Sequence, residues 1–224
     1  MPLTKTPVVT ALDIVEDFTA TARCDEGFLH VRRLRVRNRR DDGSTSPVYR
    51  VDVVDRPRLD AVAVLVYRRG PRGLELLTRQ NLRPAAYFRK DKQPTVPDGR
   101  VHLFCEEIVA GLLEPSDSGE PGLKHRAAEE VLEEAGYRVQ AEAVELLGPP
   151  FLLAPGILSE KIFLAAADVT GLVPEEAQGD GSPLEEGGAL SWRTVSELRA
   201  AIDAGVIQDA KTEIALHRFL ARQP

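Results

Sequence analysis

The sequence has few of the features that mark secreted, disulfide-stabilised or membrane-spanning proteins. Its two cysteines, Cys24 and Cys105, lie far apart and without CxxC spacing, which argues against a disulfide framework and against a zinc site. No apolar run approaches the roughly 18 residues that a bilayer span needs. The first residues also lack the basic and apolar regions of a secretion signal. We therefore expect a cytoplasmic protein with no membrane partner.

The sequence also lacks an excess of positive charge, since its 35 Asp and Glu outnumber its 29 Lys and Arg and give a formal net charge of -6 at pH 7. Proteins bind nucleic acid phosphates through clustered Lys and Arg, so this acidic balance argues against a nucleic acid partner. One local exception is the basic stretch at residues 32–40, in which Leu34 and Val36 alternate with arginines. Such alternation is typical of a half-buried strand with a solvated face, and a local anion or dimer contact is the alternative.

The length of 224 residues is enough for one substantial core and a small additional module. Residues 26–54 have the pattern of a β-hairpin, because two alternating stretches flank turn-forming residues at 41–44. We predict a small antiparallel β module over residues 1–58, with dimerisation as its hypothetical role. The larger domain is predicted over residues 59–224.

The larger domain has the pattern of an α+β fold. Residues 61–67 are almost continuously apolar, which is typical of a strand covered on both faces. Many strands with few helices indicate a mixed sheet sandwiched by helices. The further strands are predicted at residues 74–79, 101–109 (ended by Gly111), 162–167 and 188–192, and the helices at 123–135, 194–204 and 211–221.

The helix at residues 123–135 separates apolar from charged side chains on two opposite arcs. We expect the apolar arc to dock onto the core and the other arc to face solvent. Gly136 follows directly and can adopt the left-handed conformation that ends a helix. The charged arc contains Arg126, Glu129, Glu130, Glu133 and Glu134.

Local energetics oppose this arrangement of carboxylates. Glu129 with Glu133, and Glu130 with Glu134, are like-charge pairs one helical turn apart. The last two carboxylates also lie at the helix end, where the macrodipole disfavours negative charge by about 0.3–1 kcal/mol each. A divalent cation would remove the repulsion, and Mg²⁺ is satisfied by a few carboxylates with waters and phosphate oxygens. The alternative is an acidic face that only keeps the helix soluble.

The residues around this helix resemble the Nudix box, whose pattern is Gly-x5-Glu-x7-Arg-Glu-(apolar)-x-Glu-Glu-x-Gly-(apolar). The second half of the pattern matches at residues 130–137, and the first half begins at Gly111. The interval between the two halves is four residues longer than in the pattern, which predicts an enlarged loop near residues 116–118.

A second departure from the Nudix box concerns its arginine. Glu129 stands where the family has Arg. Arg126, one turn before Glu130, is the candidate to replace it. If Arg126 does not replace it, we expect weak activity or none.

The resemblance implies a fold, a metal and its ligands. The fold would be the Nudix α/β/α sandwich with a mixed sheet, and the cofactor would be Mg²⁺ with Mn²⁺ as a substitute. Glu130 and Glu134 would be metal ligands and catalytic residues, assisted by Glu133. The Ala110 carbonyl would be a further ligand, and Glu107 is an additional candidate. A bound metal would neutralise a pyrophosphate and lower the pKa of a bound water.

Three segments outside the box, at residues 79–84, 154–161 and 209–212, resemble the ADP-ribose pyrophosphatase branch of the family. By this resemblance, Arg79 and Arg83 would form forked hydrogen bonds to diphosphate oxygens, although surface arginines near a strand end are the alternative.

The resemblance to the same branch also implies roles for Glu160 and for the carboxylates of one loop. Glu160 would contact the substrate as a ligand or base, against the alternative of a loop salt bridge with Lys161. The branch takes its general base from the long polar loop at residues 174–188, which points to Glu185 or Glu186. The sequence does not choose between these two.

The expected activity is Mg²⁺-dependent hydrolysis of the pyrophosphate bond of a nucleoside diphosphate sugar, with ADP-ribose giving AMP and ribose 5-phosphate. The alternative is a Nudix domain that binds a nucleotide sugar as a sensor without cutting it, because Glu129 replaces the box arginine. A third interpretation is a dimeric scaffold in which the acidic face of the helix only keeps the protein soluble. The branch commonly builds its N-terminal sheet into a homodimer, and an exposed sheet edge gives a physical motive for that here.

Overall fold

The structure, a computed structural model, describes residues 23, 27–177, 179 and 181–223. Cys24 and the side chain of Glu185 lie outside the described part of the chain. Among the helices of the described residues, none is long and apolar enough to cross a membrane.

The two alternating stretches near the N-terminus form an antiparallel hairpin. Its strands are β1 (His30–Val36) and β2 (Tyr49–Asp55), and the turn between them is closed by a hydrogen bond of 3.1 Å from Gly43 N to Arg40 O. The predicted small antiparallel module is therefore confirmed as a two-stranded sheet. The domain boundary after residue 58 stays a prediction.

A mixed eight-stranded sheet forms the centre of the larger domain. Its strands are β3 (Ala61–Gly70), β4 (Gly73–Leu82), β5 (Phe104–Glu107), β6 (Val109–Leu112), β7 (Glu145–Leu146), β8 (Phe151–Leu152), β9 (Lys161–Asp168) and β10 (Leu190–Thr194). The main order is β10-β4-β3-β9-β7, while β5 pairs with β4, β6 with β3 and β8 with β9. β3 and β9 run parallel, and the other pairs in this sheet are antiparallel.

The third predicted strand differs most from its prediction. The structure has two short strands, β5 and β6, with a break at Ile108, whose backbone N–H donates to Thr212 Oγ1 at 3.0 Å instead of to a neighbouring strand. The prediction that Gly111 ends the strand was wrong, because Gly111 lies inside β6 opposite Val62. The absence of a Cβ at Gly111 does not end the strand but leaves space for the side chain of Glu130.

Four helices accompany the sheet: α1 (Pro84–Tyr87), α2 (Gly119–Ala135), α3 (Val195–Asp203) and α4 (Ala210–Leu220). Short 3-10 turns cover Phe88–Asp91, Ala141–Ala143 and Pro183–Glu185. α2 begins four residues earlier than predicted. Its first turn contains Pro121, which does not prevent this because proline is tolerated in the first turn of a helix.

The helices cover both faces of the sheet, so the predicted α/β/α sandwich is confirmed. Alternate residues of β3 serve the two layers: Val62, Val64 and Val66 pack with α2, while Ala63 and Leu65 pack with α3 and α4. This explains why the strand is apolar at nearly every position, because neither face meets water.

The hairpin is joined to the loop that precedes β9. Val54 N, in β2, donates to Ile157 O at 2.8 Å, and Ser159 Oγ donates to Asp55 Oδ1 at 2.8 Å. The end of β2 therefore fixes the position of residues 157–159, which belong to one of the segments that resemble the ADP-ribose pyrophosphatase branch.

Phe219 offers a test of the packing of α4. Its side chain is 1% exposed, and its ring centroid lies 4.7 Å from that of Tyr67. We expect Phe219→Ala to lower the free energy of unfolding by about 3–5 kcal/mol, because it removes a buried ring and leaves a cavity. Urea denaturation would measure this. Val206→Ala, at a 60% exposed position, is the matched control and should stay within about 0.5 kcal/mol. Equal effects of the two changes would contradict the described packing.

Candidate active site

The Glu130 carboxylate packs directly against the backbone of Gly111. β6 carries Gly111 past the middle of α2, and a Cβ built on Gly111 would come within 1.7 Å of a Glu130 oxygen. Any residue other than glycine would displace this carboxylate. Glu130 is 9% exposed, so the expectation that it faces solvent with the rest of the charged arc was wrong.

Burial and like charges make Glu130 an unusual acid. Burial is the largest cause that raises its pKa, followed by the negative charges of Glu134 and Glu133, and the resulting pKa is about 8. The positive charge of Arg126 offsets only part of this effect. Within the described part of the chain, no hydrogen bond or ion pair reaches the Glu130 carboxylate. The site therefore contains a buried carboxyl group that, when ionised, has no contacting cation among the described residues to balance its charge.

Glu134 lies one helical turn further on and has fixed partners. Arg79, from β4, donates from Nη1 to Glu134 Oε1 at 2.7 Å. The backbone N–H of Ala110 donates to Glu134 Oε2 at 3.1 Å. The structure thus brings together four of the predicted site residues: Glu130, Glu134, Ala110 and Arg79.

Glu107 occupies a different environment from the one its prediction as a metal ligand requires. Arg83 donates to both of its oxygens, from Nε at 2.7 Å and from Nη2 at 2.8 Å, and Lys211 Nζ lies 3.2 Å from Oε2. Burial raises the pKa of Glu107, but the Arg83 hydrogen bond and the Lys211 charge outweigh burial and hold the pKa below its usual value. Glu107 would have to give up one of these pairs to bind a metal.

The long loop at residues 174–188 returns to the C-terminal end of α2. Glu175 N donates to Gly136 O at 2.7 Å, and Gly179 N donates to Glu133 O at 3.0 Å. Gly136 has φ of 74°, and a Cβ there would lie 2.2 Å from Glu175 O, so this contact requires glycine twice over. The loop that carries Glu185 and Glu186 therefore passes the acidic end of the helix. Glu186 is exposed, and the choice between the two as general base stays open.

Glu160 lies in an ion pair with Arg56, which follows directly after the end of β2. The alternative of a salt bridge with Lys161 was wrong, because the partner comes from 104 residues earlier in the chain. The role of Glu160 in substrate binding stays a prediction.

Searches with the sequence against family models and against curated proteins found no match. A solved structure described as an ADP compounds hydrolase does share the fold, with a TM-score of 0.57 and 17% sequence identity. The alignment covers 87% of this chain and 92% of the other. This chain has the Nudix fold. At this level of identity the likeness concerns the fold alone.

The Nudix-box departures are structurally linked to each other. Arg126 Nε donates to Asp117 Oδ2 at 2.9 Å, and Arg126 Nη1 lies 3.1 Å from Glu129 Oε2. Among the described residues no ion pair joins Arg126 to Glu130, although the positive charge of Arg126 lowers the pKa of Glu130. The replacement of the box arginine by Arg126 stays a prediction. Asp117 belongs to the enlarged loop and also accepts from Glu114 N at 2.8 Å. The extra loop residues therefore supply the carboxylate that holds Arg126.

A magnesium ion would suit this candidate site better than a metal that needs many protein ligands. In the described part of the chain, no group of three or more His, Cys, Asp or Glu side chains is arranged to hold a metal ion. Mg²⁺ commonly takes only one or two carboxylates and completes its shell with waters and substrate phosphates. Glu130 and Glu134, with the Ala110 carbonyl, are the candidates for this smaller set, and the buried Glu130 carboxyl group would be the electrostatic reason for a cation.

The sequence did not single out several charged side chains that the fold buries on β5 and at the start of α4. Asp209 and Lys211 were recognised only as part of a motif, and Glu106 was not singled out. Glu106 is buried, accepts from Thr78 Oγ1 at 2.6 Å and pairs with Arg193. The available signal was the pair Glu106-Glu107 inside an otherwise apolar segment, because adjacent strand residues point to opposite faces and two buried carboxylates need two sets of cations.

Gly111→Ala tests the packing of Glu130. We expect the added methyl group to displace the Glu130 carboxylate, since the clash is with the flexible end of a side chain, and to weaken Mn²⁺ binding roughly tenfold or more. Isothermal titration calorimetry with MnCl₂ would measure the affinity. Gly99→Ala is the control, because nothing lies within 4 Å of a Cβ built there. Unchanged Mn²⁺ affinity in Gly111→Ala would show that Glu130 is not a ligand.

Proposed function

We propose that this protein is a magnesium-dependent Nudix pyrophosphohydrolase that cleaves the diphosphate of a nucleoside diphosphate sugar, with ADP-ribose as the leading substrate. Water adds to one phosphorus atom and the bridging oxygen leaves with the other, so that ADP-ribose gives AMP and ribose 5-phosphate. The proposal rests on the site and on the resemblance of its motifs, and the shared fold with an ADP compounds hydrolase supports it.

The observation that carries the proposal is the buried Glu130 carboxyl group beside Glu134, which no cation contacts in the part of the chain that the structure describes. A buried charge without a partner is unfavourable, so a site of this kind favours a cation from solution. Arg79 and Arg83 lie on the neighbouring strand end and add positive charge. A diphosphate substrate would match both features of the site, because its oxygens can bind the cation at Glu130 and its negative charge can interact with the arginines.

The residues divide the work by their chemistry. Glu130, Glu134 and the Ala110 carbonyl would hold Mg²⁺, or Mn²⁺ in its place, with Glu133 assisting. When bound, the metal neutralises the pyrophosphate and lowers the pKa of a water. Arg83 would donate to diphosphate oxygens, since its side chain is 44% exposed. The carboxylate of Glu185 or Glu186 would accept the proton from the attacking water.

A second candidate function is a nucleotide-sugar sensor that binds without cutting. The observation that favours it is the engagement of Arg126 with Asp117 and Glu129, which leaves Glu130 without a paired arginine. In this case the same diphosphate ligand would bind, and the chemistry would be absent or very slow.

Glu134→Gln tests the hydrolase. We expect the release of AMP from ADP-ribose to fall at least about 100-fold with Mg²⁺, since a metal ligand should matter at least as much as a residue that only supports a ligand. Chromatographic quantification of AMP measures this, and circular dichroism checks folding. Glu142→Gln, at an exposed position on a 3-10 turn, is the control and should keep full activity.

Three outcomes separate the hypotheses. Thermal stabilisation by ADP-ribose without AMP release, with Mg²⁺ or Mn²⁺ present, would select the sensor. Failure to bind either ion at millimolar concentration would favour a scaffold in which the acidic face of the helix only keeps the protein soluble. Turnover of UDP-glucose or GDP-mannose in preference to ADP-ribose would keep the hydrolase and change its substrate.

We also propose that the protein is a cytoplasmic homodimer that forms through the hairpin. A two-stranded sheet is marginally stable alone, and large apolar side chains are exposed at and just before the start of its two strands. The exposed residues are Phe28, Leu29, Val48 and Tyr49.

Sedimentation velocity tests the dimer. We expect the wild-type protein to sediment as a dimer and Val48→Asp to shift it toward the monomer, because a charge would then be buried at the interface. Val173→Asp, at an 84% exposed position outside the hairpin, should leave the dimer intact. A wild-type monomer at micromolar concentration would rule out the proposal.

A further inference from the structure

The N-terminus of α4 is fastened to the break between β5 and β6. Asp209 is the N-cap of this helix, and its Oδ2 accepts from Thr212 N at 2.9 Å and from Thr212 Oγ1 at 2.7 Å. Thr212 is fully buried, and its Oγ1 accepts from Ile108 N at 3.0 Å. The first turn of α4 therefore has a fixed position relative to Glu107, the residue just before the break.

Lys211 bridges two carboxylates at this junction. Its ammonium Nζ lies 2.5 Å from Asp209 Oδ1 and 3.2 Å from Glu107 Oε2. The Lys211 side chain is 15% exposed, and that of Glu107 is 5% exposed. Charge pairs that are shielded from water interact more strongly than those on the surface, so the Lys211 contacts fix the orientation of the Glu107 carboxylate.

The other side of Glu107 faces Arg83 through a two-pronged pair. Arg83 is the N-cap residue of α1, and its guanidinium is the more exposed partner of this pair. The charges of Asp209 and Glu134 also act on Arg83. The four side chains Arg83, Glu107, Lys211 and Asp209 thus form one cluster of two cations and two anions, which reaches from α4 toward the carboxylates of α2.

We propose that Lys211 is a positioning residue for diphosphate binding, which acts on Arg83 through Glu107. Lys211 holds the Glu107 carboxylate in place and balances its charge, so that Arg83 is oriented by Glu107 and still has positive charge to offer a phosphate. Without Lys211, Glu107 would interact with Arg83 alone, and the cluster would carry a net negative charge next to an anionic ligand. The inference rests on the proposed function, because it takes a diphosphate as the ligand.

The experiment measures binding of ADP in EDTA by isothermal titration calorimetry, so that neither metal nor hydrolysis is needed. We expect Lys211→Met to weaken ADP binding roughly tenfold, within the range of coupling between residues of one ion-pair network. Adenosine, which lacks phosphate, should bind both proteins equally. Lys90→Met is the charge-matched control, because exposed Lys90 contacts the Tyr87 ring at 3.8 Å and is no part of the cluster. It should keep the wild-type affinity.

A double-mutant cycle separates positioning from a merely structural role. If Lys211 acts through Arg83, then Lys211→Met should have no further effect on ADP affinity in an Arg83→Ala background. Independent, additive losses would overturn the inference, and so would a Lys211→Met protein that is less stable but binds ADP like the wild type. If Lys211→Met does not fold, Lys211→Arg replaces it and should keep the ADP affinity within about twofold, since the charge is retained.

The outcomes for the inference and for the proposed function are distinguishable. Wild-type protein that binds no ADP in EDTA overturns the role of Lys211, whereas AMP release from ADP-ribose with Mg²⁺ is read separately. A protein that releases AMP and whose ADP affinity is unaffected by Lys211→Met keeps its function and loses this inference. Tight, Lys211-dependent binding of ADP without AMP release keeps the inference and favours the sensor.

Discussion

The contact between the Glu130 carboxylate and the backbone of Gly111 is the constraint on which the rest of the site depends. It brings an acidic side chain out of water and against a strand, in a place where the charges that affect its pKa most, those of Glu134 and Glu133, are also negative. The sheet order makes this contact, since β6 lies beside β3 and under α2. Arg79 then pairs with Glu134 and Arg83 with Glu107, whereas no arginine among the described residues pairs with Glu130.

The parts of the fold that follow from periodicity were predictable. The continuous apolar run of β3 predicted burial on both faces, and the apolar arc of α2 predicted the side that docks, because both signals depend only on near neighbours in sequence. Gly136 was predicted to end α2, and the left-handed φ at that position agrees with this. These features decide the layers of the sandwich and leave the partners of each polar side chain undetermined.

The polar partners could not be predicted, because they join distant segments. Glu160 pairs with Arg56, and Glu107 pairs with Lys211, each across 104 residues. No local pattern encodes such a pair. The burial of Glu130 escaped prediction for a related reason: a helical wheel assigns a residue to the charged arc, but it cannot show that a glycine in another element leaves room for a carboxylate. The role of Asp117 depended on the path of an enlarged loop, which sequence spacing does not determine.

The attachment of the hairpin to the loop before β9 has a consequence for how this chain could be shortened or rearranged. Because β2 satisfies a backbone carbonyl of that loop and Ser159 bonds to Asp55, cutting the polypeptide near residue 58 would leave polar groups of the remaining piece without their partners. We therefore expect removal of the hairpin to destabilise the loop before β9. Natural insertions would be tolerated at the tip, around residues 41–44, but not where the second strand meets the loop.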